Sequence, residues 1–350
     1  MHFNTIIRRM KPCGSELMIQ KMIGMIGSGS WATALVKILL EQADQTVNWW
    51  VRSDDVRKGL LSTGRNPKHL PDLQLDATRL HITGDLADVV KQSSHLFLAI
   101  PSAYIGDTLE LIPSKAYEGH RFISAIKGVM PRRKKSVSMY LEQTLGASSN
   151  DICVVSGPSH AEEVAHGMPT FLTVASHSRS LIEEVERMLQ CSYIHTRHTS
   201  DIDGVERCGL GKNIYAIAAG LCQGLGYGDN LNAVMTTAAF REMKDMLDTH
   251  VPNSDRDMNQ SCYLGDLIVT CWSQHSRNRR LGEMVACGAT TEEAFAAMGT
   301  VAEGYYSVKN LHEISHQFDL HMPIAEAVYR ILYEHSDPRE EIEKLIADVF

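Results

Sequence analysis

A lysine, an aspartate and an arginine carry most of the chemistry this sequence can do. Lys212 stands in Gly211-Lys212-Asn213-Ile214-Tyr215-Ala216-Ile217, which reads as the start of an almost wholly apolar helix. A lysine there is either near the surface or buried and used. Burial lowers an amine's pKa towards the range where it takes and gives protons at neutral pH. Asp266, in Leu264-Gly265-Asp266-Leu267-Ile268-Val269-Thr270, either N-caps the next helix or positions the lysine or a substrate hydroxyl. Ser276-Arg277-Asn278-Arg279-Arg280 is a compact run of donors with no acid before Glu283. It is either a phosphate grip made of planar guanidinium forks or a charged helix face.

A second kind of chemistry belongs to Gly27-Ser28-Gly29-Ser30-Trp31-Ala32. Gly27-x-Gly29 allows a tight turn and close approach of backbone to a pyrophosphate, and Ala32 takes the third glycine position. A helix opening there would offer free amides and its positive dipole end to phosphates. The turn follows the apolar run Met22–Ile26 and precedes helical spacing over Trp31–Gln42, with a second strand at Thr46–Val51. Strand, turn, helix and strand in that order make a dinucleotide-binding βαβ unit. Where an acid for the ribose usually stands, this chain has Trp50-Val51-Arg52-Ser53. Arg52 either pairs with a 2′-phosphate, favouring NADP, or is solvated, with Asp54 and Asp55 next in line for NAD.

The remaining elements must bring these groups together. Strands are expected at His95–Ile100, Arg121–Ile126, Ile152–Ser156 and Phe171–Ala175, with a helix over Ser180–Gln190. Three strand ends carry Pro101-Ser102, Lys127-Gly128 and Gly157-Pro158-Ser159, and ligands of such sheets bind outside the carboxyl ends of strands. From Val205 onward the periodicity is helical, with Ile214, Ile217, Ala218 and Leu221 on one face. The expected class is α/β: a Rossmann-type, mostly parallel sheet domain followed by an all-helical C-terminal domain. The expected divisions are an extension over 1–20, a dinucleotide domain over 21–203 and a substrate domain over 204–350.

Bulk properties narrow the classes. With 44% hydrophobic and 22% charged residues, the 350-residue chain has the composition of an ordinary globular protein. A net charge of −8 argues against nucleic-acid binding, which depends on Lys and Arg neutralising phosphates. No apolar run reaches the roughly 20 residues of a membrane span. The eight cysteines form no Cys-x-x-Cys pair and read as buried thiols of a cytoplasmic protein. No metal site is expected: His195 and His198 are placed at a strand end without acidic company.

Taken together, these segments resemble the NAD(P)-dependent sn-glycerol-3-phosphate dehydrogenase family in its bacterial form, from about Lys21 to near the C-terminus. The resemblance is carried by Gly27–Trp31, Ile126-Lys127-Gly128, Ser156-Gly157-Pro158-Ser159, Gly211-Lys212-Asn213, Leu264-Gly265-Asp266-Leu267, Ser276-Arg277-Asn278-Arg279, Glu303-Gly304 and Met322-Pro323-Ile324. It implies that Lys212 accepts the proton of the substrate's C2 hydroxyl during oxidation, with Asp266 orienting that lysine or the hydroxyl. Lys127 would hold substrate and the nicotinamide end. Arg277, Asn278, Ser276, Thr270 and Asn213 would grip the substrate phosphate, with Gly157 and Ser159 lining the pocket. Gly27, Gly29, Ser30, Trp31, Arg52, Ala161, Val301 and Glu303 would contact NAD or NADP, as would Arg277.

The chain departs from the family pattern at Ala32, at Glu206-Arg207-Cys208-Gly209-Leu210-Gly211, at Cys262-Tyr263 and at Met235-Thr236-Thr237-Ala238. The implied reaction is hydride transfer between NAD(P)H and dihydroxyacetone phosphate, giving sn-glycerol 3-phosphate for phospholipid synthesis, in a homodimer. A related dehydrogenase of hydroxy acids and a catalytically silent dinucleotide sensor are the rival readings. The donor run at Ser276–Arg280 speaks against the first, and the presence of both Lys212 and Asp266 against the second.

Overall fold

The computed structural model describes residues 22–299 and 302–348. The expected extension over 1–20 and the cofactor contact at Val301 lie outside the described residues.

Eight strands make one sheet: β1 (Ile23–Ile26), β2 (Val47–Trp50), β3 (Leu80–Thr83), β4 (His95–Leu98), β5 (Arg121–Ser124), β6 (Ile152–Ser156), β7 (Thr170–Ala175) and β8 (Ile194–Thr199). Their order is β3-β2-β1-β4-β5-β6-β7-β8, parallel throughout except where β7 runs against β6. The chain leaves β1 in one direction and returns at β4 in the other. The crevice at the carboxyl ends of β1 and β4 is therefore the topological switch point.

The central strands are apolar on both faces because helices cover both. Ile23, Met25, Trp49 and Phe97 enter the core on one side, and Ile26, Trp50, Leu96 and Leu98 the core on the other. The sequence expectation misses β3 and extends too little to β8. β3 is half-buried, and β8 alternates polar residues on the sheet edge, so neither gives an apolar run. His195 and His198 lie within β8, not at its end. His195 stacks on Phe171 at 5.1 Å, and His198 Nδ1 is 3.4 Å from Glu186 Oε1, so acidic company is present.

Among the described residues no strand follows Thr199. A long helix, Ile202–Gly224, begins at the Asp201 N-cap and is buried along nearly all its length. It is the axis of the helical part, surrounded by the helices Asp229–His250, Asp266–Trp272, Arg277–Ala286 and Glu303–Phe318. Its core also takes in Val129, Val154 and Ala175 from the sheet, so the two parts share apolar contacts. Two glycines allow backbone-to-backbone approach. A Cβ on Gly209 would meet Gly128 N at 2.8 Å, and one on Gly282 would meet Ile217 O at 2.1 Å. The first draws the Lys127 turn onto the long helix, and the second draws the Arg277 helix onto it.

Candidate active site

At the end of β1 the backbone of Gly27 has φ +122°, and a Cβ there would stand 2.3 Å from Ala99 O. Glycine is required for this turn. Trp49 Nε1 donates to Gly27 O at 2.6 Å, and Asn66 Nδ2 donates to Ser28 O at 3.0 Å and Thr33 Oγ1 at 2.9 Å. The sequence gives no local signal for these two pins.

Gly29 is the N-cap of the Ser30–Leu40 helix, with no side-chain cap and no acid in the first turn. A Cβ on Gly29 would meet nothing within 4 Å. The amides thus face open space beside bare backbone, and the buried Trp31 Nε1 next to them has no partner. This cradle fits the pyrophosphate of a dinucleotide. Ser30 Oγ lies 3.4 Å from His69 Nδ1, placing the imidazole on the cradle's rim.

Arg52 is exposed just past β2. Arg57 Nη1 donates to the carbonyls of Val51, at 2.9 Å, and Arg52, at 3.3 Å. Asp54 pairs with Arg57, and Asp55 with Lys68 at 3.2 Å. Both carboxylates considered for NAD therefore have cationic partners.

Lys212 sits midway along the long helix, not at its start, and only 1% of its side chain is exposed. The N-cap alternative for Asp266 falls away, since Gly265 holds that position and Asp266 is the first helical residue. Its carboxylate instead joins three donors. Oδ2 accepts from Lys212 Nζ and, at 3.4 Å, from Ser156 Oγ; Oδ1 accepts from Lys127 Nζ at 3.4 Å. Burial alone would raise the Asp266 pKa, but the charges of Lys127 and Lys212 outweigh it and hold the carboxyl below its usual range. Lys127 also donates to Gly157 O at 3.2 Å, and a quarter of its side chain is exposed. The protein around it, and then Lys212, push its pKa down against the pull of Asp266, to about 8.

The donor run divides by role. Ser276 caps the Arg277–Ala286 helix through Arg279 N at 3.3 Å. Asn278 Nδ2 donates to Asn213 Oδ1 at 2.9 Å, and its Oδ1 accepts from Gly304 N at 2.8 Å, locking three helices around the site. Thr270 Oγ1 donates to Asp266 O one turn back. Arg277 is exposed, and its charge acts on both His69 and Glu303. Burial lifts the Glu303 carboxyl above its ordinary range, against the charges of Arg277, Lys127 and Lys212 and a hydrogen bond from the Ser102 backbone. Glu303 thus joins the cradle side of the cleft to the lysine pair.

Gly157 and Ser159 are adjacent to Lys127, with Ser159 Oγ donating to Gly157 O at 2.9 Å, and Ala161 opens the next short helix. Between them stands His160, which was not singled out from the sequence. Its Nε2 is buried without a partner, and its ring lies 5.8 Å from that of His275. Burial and the Lys127 charge hold its pKa below the ordinary value. A single histidine in a Ser-Gly-Pro-Ser-His run gives no signal by spacing.

A phosphate cradle at a switch point, facing a buried lysine–aspartate pair and an arginine at a helix N-terminus, defines a dinucleotide-dependent dehydrogenase. The profile of the NAD-dependent glycerol-3-phosphate dehydrogenase N-terminus matches residues 22–182, and that of its C-terminus matches residues 201–343. The chain belongs to the NAD-dependent glycerol-3-phosphate dehydrogenase family, and its cofactor is NAD(P).

Glycerol-3-phosphate dehydrogenase [NAD(P)+] 2 of Salinibacter ruber is 35% identical over 93% of this chain and 94% of its own length. Glycerol-3-phosphate dehydrogenase [NAD(P)+] of Clostridium botulinum strain Alaska E43 is 33% identical over 93% and 96%. The crystal structure of glycerol-3-phosphate dehydrogenase from Coxiella burnetii superimposes with a TM-score of 0.87 at 28% identity, covering 93% of this chain and 98% of that one.

Proposed function

We propose that this chain interconverts dihydroxyacetone phosphate and sn-glycerol 3-phosphate, with the roles of the cleft residues assigned as follows. The dinucleotide, when bound, supplies the hydride chemistry. Gly27, Gly29, Ser30 and Trp31 hold its pyrophosphate end, with Arg52 and Ala161 beside it and Glu303 near its far end. Lys212 gives a proton to the C2 oxygen in reduction and takes it back in oxidation. Asp266 fixes the Lys212 Nζ and balances its charge in a site with little water. Lys127 holds the substrate oxygen against Gly157 and Ser159. Arg277 takes the phosphate, so that binding energy remote from C2 fixes the reacting carbon. Asn213, Thr270, Ser276 and Asn278 position that arginine and lysine.

The observation that carries this reading is the shared carboxylate of Asp266, which holds two lysines, with Glu303 within reach of the charges of both and of Arg277. Supply of glycerol 3-phosphate for phospholipid synthesis, a homodimeric state and a cytoplasmic location are part of the proposal. Among the described residues no helix is long and apolar enough to cross a membrane.

The test follows NADH and NADPH oxidation separately with purified protein and dihydroxyacetone phosphate. Turnover is expected with at least one dinucleotide, and Arg52→Ala is expected to raise the KM for NADPH more than that for NADH. Turnover with neither dinucleotide overturns the reading, and reduction of a phosphate-free 2-keto acid in its place would favour the hydroxy-acid alternative.

A further inference from the structure

Two turns and more along the helix from Glu303, two histidines and a glutamate converge. His312 and His316 lie one turn apart on the Glu303–Phe318 helix, with ring centroids 4.5 Å apart. Glu326 comes from the Pro323–Tyr333 helix, and its Oε2 is 2.8 Å from His312 Nδ1. One ligand atom from each of the three residues lies within 4.8 Å of the others. The expectation of no metal misses His312-Glu313-Ile314-Ser315-His316, a His-Glu-x-x-His spacing that puts both imidazoles on one helix face. The third ligand, Glu326, is supplied by the next helix, and that pairing is what the spacing alone does not reveal.

The site is supported from behind. Ser315 is buried and donates to Glu326 Oε1 at 2.8 Å, fixing the carboxylate plane. The His312 ring lies flat on Tyr329, with centroids 3.7 Å apart and planes 3° apart. Outer contacts of this kind orient ligands before a metal arrives. His316 is exposed and can rotate to close the set. In front, a surface cavity of about 440 Å³ is lined by His316 and Glu326 and brings Asp319 and His321 nearby. It leaves room for a water in a fourth position.

We infer that His312, His316 and Glu326 bind one divalent transition cation of the zinc class, clipping the Glu303–Phe318 helix to the Pro323–Tyr333 helix. Two imidazoles and one carboxylate are the donor set that suits Zn²⁺ over Mg²⁺ or Ca²⁺, which prefer oxygen alone. Tetrahedral bonds of about 2.0–2.1 Å place ligand atoms roughly 3.3 Å apart. The His312–Glu326 contact is already close to that span, so only His316 has to move. The cation takes the place of the proton shared by Nδ1 and Oε2. The site is separate from the cleft and takes no part in hydride transfer.

The experiment uses the full, tag-free chain after chelator treatment, titrated with Co²⁺ and then with Zn²⁺. One equivalent of Co²⁺ is expected to give visible bands of four-coordinate geometry that Zn²⁺ abolishes, and Zn²⁺ is expected to raise the Tm. His316→Ala and Glu326→Gln are each expected to weaken binding by about tenfold or more. His316 is exposed, so its variant keeps the metal-free Tm and stays informative even if Glu326→Gln does not fold. Unchanged affinity in His316→Ala, no Co²⁺ bands, or a near-ultraviolet sulfur-to-cobalt band overturns the proposal.

Discussion

Lys212 Nζ donates to Asp266 Oδ2 between two helices whose contacting residues are 54 positions apart, and each side chain is 1% exposed. A pair this buried is held by its remaining partners as much as by its own attraction. Asp266 has them in Lys127 and Ser156, so its charge is shared. Lys212 has the carboxylate. Removing Asp266 would strand two lysines, whereas removing Lys212 leaves Asp266 paired with Lys127. The lysine is therefore the member of the pair that can be replaced with the fold intact.

Lys212→Met keeps most of the length of the side chain and removes the titratable amine. We expect kcat for dihydroxyacetone phosphate to fall by about 10³, the usual worth of a positioned acid–base group. Dinucleotide affinity should stay within about twofold, since the cradle lies on the sheet side. Stopped-flow turnover and fluorescence titration of NADH separate the two. A variant with wild-type kcat would falsify the proton-transfer role while leaving the fold untouched.

Lys127 gives the pH dependence. Its pKa is lowered to about 8 by the surrounding protein and by Lys212, so its charge is lost as pH rises through that value. If the cation holds substrate, KM for dihydroxyacetone phosphate rises on the alkaline side, by about fivefold between pH 8 and 9 as the charged fraction shrinks. The substrate phosphate is already fully ionised there and does not confound the limb. Lys127→Arg remains charged and should flatten it. An alkaline limb that persists unchanged in that variant belongs to some other group.

Arg277→Ala should separate phosphate recognition from chemistry. Losing a charge-assisted contact costs about 1.5–3 kcal/mol, or roughly 10- to 150-fold in kcat/KM. That loss should appear with dihydroxyacetone phosphate and vanish with dihydroxyacetone, which lacks the phosphate. An equal loss on both substrates would move Arg277 from the substrate to the dinucleotide.

These groups differ in how visible they are before folding. The Gly27–Ala32 turn and strands β1, β2, β4, β5 and β6 are legible because burial on both faces writes continuous apolar runs. β3 and β8 are not, since edge strands keep polar residues. Lys212 is legible as a residue and not as a position. The upstream turns of its helix carry Glu206 and Arg207, whose placement is decided by Ser138 and His250 far along the chain. The choice of Asp266 between cap and counter-ion depends on Lys127 and Lys212, 139 and 54 positions away. Trp49 and Asn66 act through partners 22 to 38 positions away, and His160 through a nitrogen left unpaired, none of which a local pattern encodes.

Gly27 and Gly29 look alike in the turn and should behave differently. A methyl on Gly27 would strike Ala99 O and strain a backbone at φ +122°, at a cost of about 1–3 kcal/mol or more. A methyl on Gly29 meets nothing within 4 Å. Gly29→Ala should therefore keep the wild-type Tm and lose dinucleotide affinity, by about tenfold or more, because the methyl fills the approach path of the pyrophosphate. Gly27→Ala should lower the Tm itself. Thermal melts with and without NADH read both effects, and an unchanged Kd in Gly29→Ala would place the phosphates elsewhere.

Glu206 should make stability depend on pH in a direction that is easy to mistake. It is buried where the long helix meets the sheet domain and accepts from Ser138 N at 3.2 Å. Burial raises its pKa to about 7, against the Ser138 hydrogen bonds. A carboxyl raised on folding holds its proton longer in the native chain than in the unfolded one. Its contribution is thus fully present below the unfolded pKa and is lost as pH rises through about 7. Glu242, also raised to about 7, adds to the same trend, while His69 and His160, lowered by burial, gain stability as pH rises and oppose it. Only a variant isolates the Glu206 contribution. Glu206→Gln keeps a neutral acceptor for Ser138, so its stability relative to wild type should improve from pH 5 to pH 8.5, by up to about 3 kcal/mol. Urea unfolding of both chains at the two pH values measures the difference, and a flat difference would mean that Glu206 is ionised in the folded chain throughout.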